Sequence, residues 1–257
     1  ANARTQARSA LASAEATLRS EVLAQSVRRA SGQVSVVSAS MLQRRLDAHY
    51  FSSHCQHAQA LFEQSPCGES RTIGDVADVF IPGIFRRRYA QDPTYGYPYL
   101  TGADVFQIAP TSDRFLMREV AEQCDLLVDT GMILVQEAGQ LGGLLGHAVL
   151  VGRHFSGAAV SNNMIRIRCA DVVDTAYLYA LLRTWEGVTL MAREAAGSSI
   201  PHIDAERCRR IRVPWAGRAV RERVAEPVLQ ALRLRESACD WESTARTTID
   251  RVIAGEA

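Results

Sequence analysis

The sequence predicts a mixed α/β globule flanked by two long antiparallel helices that form a coiled-coil stalk. Both ends of the chain carry apolar residues at helical spacing, whereas the middle has short apolar segments separated by Gly, Pro and Asn. The 47% hydrophobic and 22% charged residues are typical of a folded globular protein. We therefore expect an N-terminal helix over 1–32, a globule over 33–216 and a C-terminal helix over 217–257.

The N-terminal helix is predicted from Ala3 to Ala30, with Gly32 ending it. Its apolar residues, Leu11, Leu18 and Val22 among them, form one narrow stripe. A stripe this narrow favours packing along another helix over burial in a compact core. A charge at Leu18 is therefore expected to disrupt helix pairing or the docking of a partner.

The C-terminal helix is predicted from Arg218 to Ile253, with Pro227 producing a kink or a restart. Its apolar positions form a similar seam. The residues expected at the interface between the helices or with a partner are Leu11, Leu18, Val22, Val224, Val228 and Ile249.

Short strands and helices are predicted between the two long helices. The strand candidates are Gln33–Val37, Tyr97–Leu100, Met132–Val135, His147–Val151, Met164–Arg168 and Arg210–Val213. Alternation within Met164–Arg168 places its two Arg on one face. The helical candidates are Asp113–Cys124, Asp174–Trp185 with Asp174 or Thr175 as its cap, a turn at Ile203–Arg209, and part of Met41–Glu63.

Composition excludes several kinds of active site. All 29 basic residues are Arg, so no P-loop Lys, Schiff-base Lys or Ser–Lys dyad exists. The net charge of +1 means that any nucleic-acid contact requires a local concentration of Arg. The six Cys lack C-x-x-C spacing, which favours reduced thiols and a cytoplasmic location. No apolar run approaches about 18 residues, so we expect no membrane span.

The first candidate contact segment is a run of three Arg followed by Tyr residues: Arg86, Arg87, Arg88, Tyr89 and Tyr95. Arg forks bind phosphates or guanine edges with two hydrogen bonds, and Tyr stacks or donates a hydrogen bond. The alternative is a solvated charge run beside a core strand.

Two further segments carry polar side chains in flexible sequence. One is glycine-rich and offers Gln136, Gln140 and His147 to a polymer ligand; a simple hairpin between two strands is the favoured alternative. The other offers Ser198, Ser199 and His202, which either hold phosphate or only turn the chain. His54 and His57 have the spacing of a helical metal pair, but a surface helix is favoured, and we expect neither a metal nor a cofactor.

The order of several short motifs resembles the specificity subunit of type I restriction–modification systems. The matching segments are Arg45–Phe51, Ile73–Phe80, Tyr95–Leu100, Gly131–Val135, Gly146–Val151, Tyr177–Leu182, Gly197–Ser198 and Ile211–Pro214. Met132 stands where the family usually has Asp, and 136–138 lacks the family's basic residues. Only one recognition domain is present, which corresponds to half of a family member.

The resemblance implies a non-catalytic target recognition domain that binds double-stranded DNA in anti-phage defence. It also implies a methyltransferase subunit that itself holds S-adenosylmethionine, a restriction nuclease subunit in some complexes, and a homodimer formed through the helices. Two alternatives stay open. The chain is either the recognition portion of a single-chain restriction–methylation enzyme, or an adaptor whose globule binds protein rather than DNA.

Overall fold

The structure, a computed structural model, describes residues 2–24, 36–43, 45–66, 68–197 and 199–255. Most of the predicted strand Gln33–Val37 lies outside these ranges, and its described residues, 36 and 37, are not in a strand. The elements begin with α1 (Asn2–Glu21), a 3-10 turn (Ala39–Gln43), α2 (Ser53–Glu63), β1 (Gly68–Thr72), α3 (Ile73–Val76), β2 (Ala77–Phe80), β3 (Tyr89–Ala90), a 3-10 turn (Pro93–Tyr95) and β4 (Gly96–Leu100). They continue with α4 (Gly102–Val105), β5 (Phe115–Met117), α5 (Arg118–Gln123), β6 (Ile133–Gln136), β7 (Ala148–Leu150), β8 (Ala159–Val160), β9 (Met164–Cys169), α6 (Val172–Arg183), α7 (Trp185–Arg193), α8 (Ala205–Arg210), β10 (Arg212–Ala216) and α9 (Arg218–Ile253).

These elements form the expected mixed α/β globule with two long antiparallel helices. Ion pairs at both ends of α1, from Arg4 to Glu242 and from Glu21 to Arg223, show that α1 and α9 run in opposite directions. The main sheet has the strand order β2-β9-β6-β7 and is antiparallel. A second sheet has the order β3-β5-β4-β8, with β4 and β8 parallel, and β1 pairs with β10. No helix in the described ranges is long and apolar enough to cross a bilayer.

Four of the predicted strands are confirmed, each displaced by no more than one residue at either end: Tyr97–Leu100, Met132–Val135, His147–Val151 and Met164–Arg168. The prediction of a strand over Arg210–Val213 is shifted. Asp204 caps α8, which continues to Arg210, so β10 begins only at Arg212.

Two predicted helices have different bounds. Asp113–Cys124 is wrong in its first half, because Phe115–Met117 is a strand that pairs with both β3 and β4. The helix predicted over Asp174–Trp185 starts earlier, since the Asp171 side chain accepts from the amides of residues 173 and 174 and is the actual cap. Thr184 ends that helix and caps α7.

The first helix ends at Glu21 rather than near Ala30. The amides of Val22 and Leu23 both donate to the carbonyl oxygen of Leu18, at 2.9 and 2.8 Å, which closes the last turn. Both side chains are buried and turn the chain into the apolar core. Residues 25–30 lie outside the described ranges.

The predicted helix-interface residues mostly belong to the protein's own core, which corrects the expectation that the stripes cannot be buried in the globule. Leu18, Val22, Val224 and Val228 are at most 1% exposed. They share one apolar cluster with the main sheet and α6. The small side chains of Ala14 and Ala225 are buried in the same cluster. The other two predicted interface residues are less buried, since Leu11 is half-buried and Ile249 is 57% exposed. The helix α9 continues through Pro227 without a restart.

One Arg connects the two larger sheets. Arg168 is exposed, but Arg166 on the same strand is completely buried. Its guanidinium donates to the carbonyl oxygens of Val160 at 2.8 Å, Met164 at 2.9 Å and Leu126 at 3.3 Å. Desolvation lowers the pKa of Arg166 to about 10, so it stays charged at neutral pH. These bonds fix β8 of the second sheet against β9 of the main sheet.

The segment Arg45–Phe51, whose sequence supports the resemblance, has a structural role here. Arg45 donates to the carbonyl oxygens of Glu194 at 3.1 Å and Ala195 at 2.7 Å, just after the end of α7. Its guanidinium also lies 4.9 Å from the centroid of the Tyr50 ring. The segment therefore anchors the end of α7 to the chain that enters α2.

Candidate nucleic-acid interface

One face of the second sheet carries a row of Tyr side chains. The strand register places Leu116 opposite both Tyr89 and Tyr97. Directly opposed residues share a face, and so do residues two apart on a strand, so Tyr99 lies on this face as well. Tyr99 and Leu116 are completely buried, whereas Tyr89 is exposed at the edge.

Several Arg side chains surround these rings. Arg87 Nε donates to the hydroxyl of Tyr99 at 3.1 Å, which raises the pKa of Arg87. The guanidinium of Arg114 lies 5.7 Å from the ring centroid of Tyr99, and that of Arg118 lies 4.7 Å from the ring centroid of Tyr97. We call these side chains, together with the residues that the sequence predicts in the same segment, the Arg–Tyr face. It consists of Arg86, Arg87, Arg88, Tyr89, Tyr95, Tyr97, Arg114 and Arg118.

The three predicted Arg are accessible and are not locked in internal ion pairs. Arg86, Arg87 and Arg88 are all exposed. Arg88 lies 3.9 Å from Glu119, and both side chains are more than half exposed, so the pair is weak. Arg86 has no ion-pair or hydrogen-bond partner among the described residues. Tyr95 is exposed as well.

The glycine-rich loop and the loop at 197–202 lie together, which neither sequence pattern alone predicts. The amide of Gly139 donates to the carbonyl oxygen of Pro201 at 3.2 Å, and the amide of Ile203 donates to the backbone carbonyl oxygen of Glu137 at 2.8 Å. Ala138 and His202 form a β-bridge. We call residues 136–147 with 197–203 the loop junction. Its exposed predicted residues are Gln140, His147, Ser199 and His202. Ser198 lies outside the described residues.

Gln136 is turned inward, which corrects its assignment as a contact side chain. Its Nε2 donates to the carbonyl oxygen of Ala138 at 2.9 Å, and its Oε1 is buried without a hydrogen-bond partner in the described part of the chain. A Cβ at Gly102 would overlap this Oε1. Gln136 therefore packs on the start of α4.

This contact also relates the two candidate surfaces. Gly102, beside the loop junction, follows Tyr99 by three residues along the chain, and Tyr99 is the buried ring that Arg87 and Arg114 contact. Three residues of extended chain span at most roughly 10 Å. The two surfaces are therefore neighbours at the end of β4.

A buried carboxylate and a histidine join the two loops of the junction. Glu137 Oε2 lies 3.2 Å from Nδ1 of His202, and their side chains are 11% and 54% exposed. Burial raises the pKa of Glu137, and the neighbouring His202 offsets only part of this effect. Ionised Glu137 therefore lowers the free energy of unfolding relative to its protonated form.

We expect Glu137→Gln to raise the melting temperature at pH 7.5. The folded-state pKa of Glu137 is raised, so its contribution to stability is present at low pH and is lost as the pH rises above the unfolded value. The advantage of the variant should shrink as the pH is lowered to 4, where Glu137 itself is protonated. Thermal unfolding of both proteins at several pH values measures this, and a difference that grows towards pH 4 would contradict it.

Two members of the Arg–Tyr face do not stand out in the sequence. Arg114 and Arg118 flank β5, within the segment whose pattern predicts a helix. Arg114, Leu116 and Arg118 alternate with period two, and this is the signal that places both Arg on the face of Tyr97 and Tyr99. A helical interpretation of the segment obscures it.

The histidine pair on α2 packs against an aromatic ring. The rings of His54 and His57 stack on Trp185, with centroids 5.0 and 5.7 Å away. His54 Nε2 is 3.0 Å from the hydroxyl of Thr189. Within the described ranges, no group of three or more His, Cys, Asp and Glu has the arrangement of a metal site.

No protein-family model matches the chain, and no curated protein matches it. Solved structures do match. The HsdS subunit from Thermoanaerobacter tengcongensis is 14% identical over 79% of this chain and 50% of that chain, with a TM-score of 0.46. The type I restriction-modification system S subunit from M. genitalium is 12% identical over 96% of this chain and 54% of that chain, with a TM-score of 0.49.

A third structure, which concerns complex assembly and conformational transition of the type I R-M system, gives 12% identity over 77% of this chain and 48% of that chain, with a TM-score of 0.49. The chain spans about half the length of each of these proteins. The similarity is one of fold. Two of the three are subunits of the kind that the order of the sequence motifs resembles.

Proposed function

We propose that this chain is a non-catalytic module that recognises a short double-stranded DNA sequence in a restriction–modification system. In this role it directs a partner methyltransferase, and a nuclease in complexes that contain one, to the target. The observation that carries the proposal is the Arg–Tyr face. Arg86 is exposed and has no ion-pair or hydrogen-bond partner among the described residues, and Tyr89 and Tyr95 are exposed as well.

The chemistry of this face suits a duplex. A guanidinium that donates two hydrogen bonds to a guanine edge contributes about 1–3 kcal/mol of discrimination. Other Arg contact phosphates and set the register of the protein on DNA. The carboxylates of Glu119 and Glu122 lie within the same surface, near Arg88 and Tyr97. They limit non-specific attraction to phosphate, so base contacts contribute a larger share of the binding.

The loop junction supplies the second set of contacts. His147 and Gln140 are exposed on the glycine-rich loop, and Ser199 and His202 on the loop bonded to it. We include Ser198 in this set on the strength of its sequence position. The backbone bonds between the described residues of the two loops hold Gln140, His147, Ser199 and His202 near one another before DNA binds, which reduces the entropy lost on binding.

The exposed end of α9 is the proposed surface for another subunit. Trp241, Ile249, Val252 and Ile253 are 57–79% exposed and recur at helical spacing. A second copy of this chain or the methyltransferase covers this stripe in our proposal. The S-adenosylmethionine used in methylation is then bound by the partner, and the present chain needs no cofactor.

We expect the triple substitution R86A/R87A/R88A to weaken DNA binding at least tenfold, with little change in melting temperature. The wild-type target is first selected from a random-sequence duplex library, and affinity is then measured against salt concentration. The slope of log K against log[salt] should become shallower by up to about 0.9 for each phosphate that the variant no longer neutralises.

The matched control is R233A/R246A/R251A, which removes the same charge from exposed positions on α9. It should retain nearly full affinity. Three results would refute the proposal: no salt-dependent DNA binding by the wild type, equally weakened binding in both triple variants, or unfolding of the first variant at the temperature of the assay.

A further inference from the structure

A cavity of about 210 Å³ lies between the two long helices and the globule. Its apolar walls come from α1, α6, β7 and α9. The residues concerned are Ala7, Leu11, Leu150, Tyr179, Val228 and Leu232. This volume has room for roughly a dozen water molecules, or for an organic chain of comparable size.

Local sequence explains why space is left here. Ala7 and Ala10 of α1 pack on Ala231 of α9, so the helices approach closely through small side chains. These methyl groups do not reach β7 and α6 behind them. The outer wall is the segment Phe106–Ile108, which Arg235 holds by donating to the carbonyl oxygens of residues 107 and 108.

The opening is positively charged. Arg4, Arg8 and Arg235 line the cavity, and none of its lining residues is acidic. Arg4 pairs with Glu242, and Arg235 is occupied by the two carbonyl groups. Arg8 is exposed and has no ion-pair or hydrogen-bond partner in the described part of the chain. An anion at the opening would therefore find a cation that is available to bind it.

We propose that this cavity binds a carboxylate with an apolar body, of the type of a medium-chain fatty acid. The hydrocarbon fills the apolar space between α1, α9 and the globule, and the carboxylate accepts hydrogen bonds from Arg8. Apolar cavities of this kind take up apolar ligands because water gains few hydrogen bonds in them. The ligand contacts both helices and the globule, so its binding strengthens their association.

Octanoate is the probe, and octanol and octylammonium are its neutral and cationic counterparts. Calorimetric titration of the full chain should give saturable binding of octanoate, together with a higher melting temperature. Octanol should bind at least tenfold more weakly, and octylammonium should not bind. No heat with octanoate, or equal affinities for the three probes, would overturn the proposal.

Two variants locate the site. Arg8→Gln should weaken octanoate binding at least tenfold with an unchanged melting temperature, because Arg8 is exposed. Leu11→Trp should fill the cavity from a half-buried lining position and abolish binding of octanoate and octanol alike. The control Arg251→Gln lies on the exposed end of α9 and should leave both affinities unchanged. Wild-type affinity in Arg8→Gln would refute the assignment of the carboxylate, whether or not Leu11→Trp folds.

Discussion

Replacement of Arg19 by Met is expected to destabilise the protein by about 3 kcal/mol or more. Glu186, in the first turn of α7, is completely buried. Arg19 of α1 donates to both of its carboxylate oxygens, at 3.0 Å to Oε2 and closer still to Oε1. A two-point bond of this kind is strong because both donors are charged and correctly oriented. Without Arg19, the carboxylate is left in the interior with no cation from the described residues paired to it.

Urea unfolding of wild type and variants measures this effect. Arg223→Met is the matched control. Arg223 pairs with Glu21, which lies on α1 like Arg19, but the two side chains of this pair are 53% and 34% exposed, whereas Glu186 is completely buried. Arg223→Met should destabilise the protein far less than Arg19→Met, because a solvated ion pair contributes little to stability. The double variant R19M/E186Q should recover part of the stability, because no bare charge is then buried. Equal destabilisation by Arg19→Met and Arg223→Met would show that α1 is not held by the buried pair.

The parts of the fold that follow from local pattern are predictable. Periodicity along a single segment sets the bounds of α9 and places the strands β4, β6, β7 and β9 within a residue. Phe115–Met117 cannot be assigned this way, because it becomes a strand through its pairing with β3 and β4, which come from elsewhere in the chain. Tertiary pairing there overrides a helical pattern.

In the candidate site, too, some features follow from the local sequence and others depend on distant parts of the chain. The exposed Arg run of 86–88 follows from its composition, which no core accommodates. The inward turn of Gln136 depends on Gly102, 34 positions earlier in the chain, and no local signal predicts it. The alternating pattern of β9 predicts that Arg166 and Arg168 lie on the same face. It does not predict that β8 covers Arg166 and leaves Arg168 exposed. Such contacts come from chain topology rather than local sequence.

The apolar stripes of the long helices are the most instructive case. The spacing of Leu18, Val224 and Ile249 predicts that each faces a neighbouring surface. It does not distinguish the protein's own core from a separate subunit. In the structure, Leu18 and Val224 are buried in the cluster that includes the main sheet and α6, whereas Ile249 is 57% exposed. The same pattern therefore serves stability in one half of α9 and is available to a partner in the other.

One substitution at two positions tests this division. Leu18→Asp places a carboxylate where the native side chain is completely buried, and we expect it to abolish cooperative folding at 25 °C, well beyond the roughly 2–5 kcal/mol that truncation of a core Leu costs. Ile249→Asp, at a position that is 57% exposed, should change stability by less than about 0.5 kcal/mol. Circular dichroism during thermal unfolding measures both.

The mass in solution then separates a core from an interface. If the exposed stripe of α9 associates with a second copy, Ile249→Asp should lower the mass measured by light scattering at concentrations where the wild type is a dimer, while the fold stays intact. A folded Leu18→Asp variant that no longer associated would reverse the roles of the two positions. Leu18 and Ile249 both fit the apolar spacing of their helices and differ in how far they are buried. That result would therefore mean that α1 and α9 contribute little to the core.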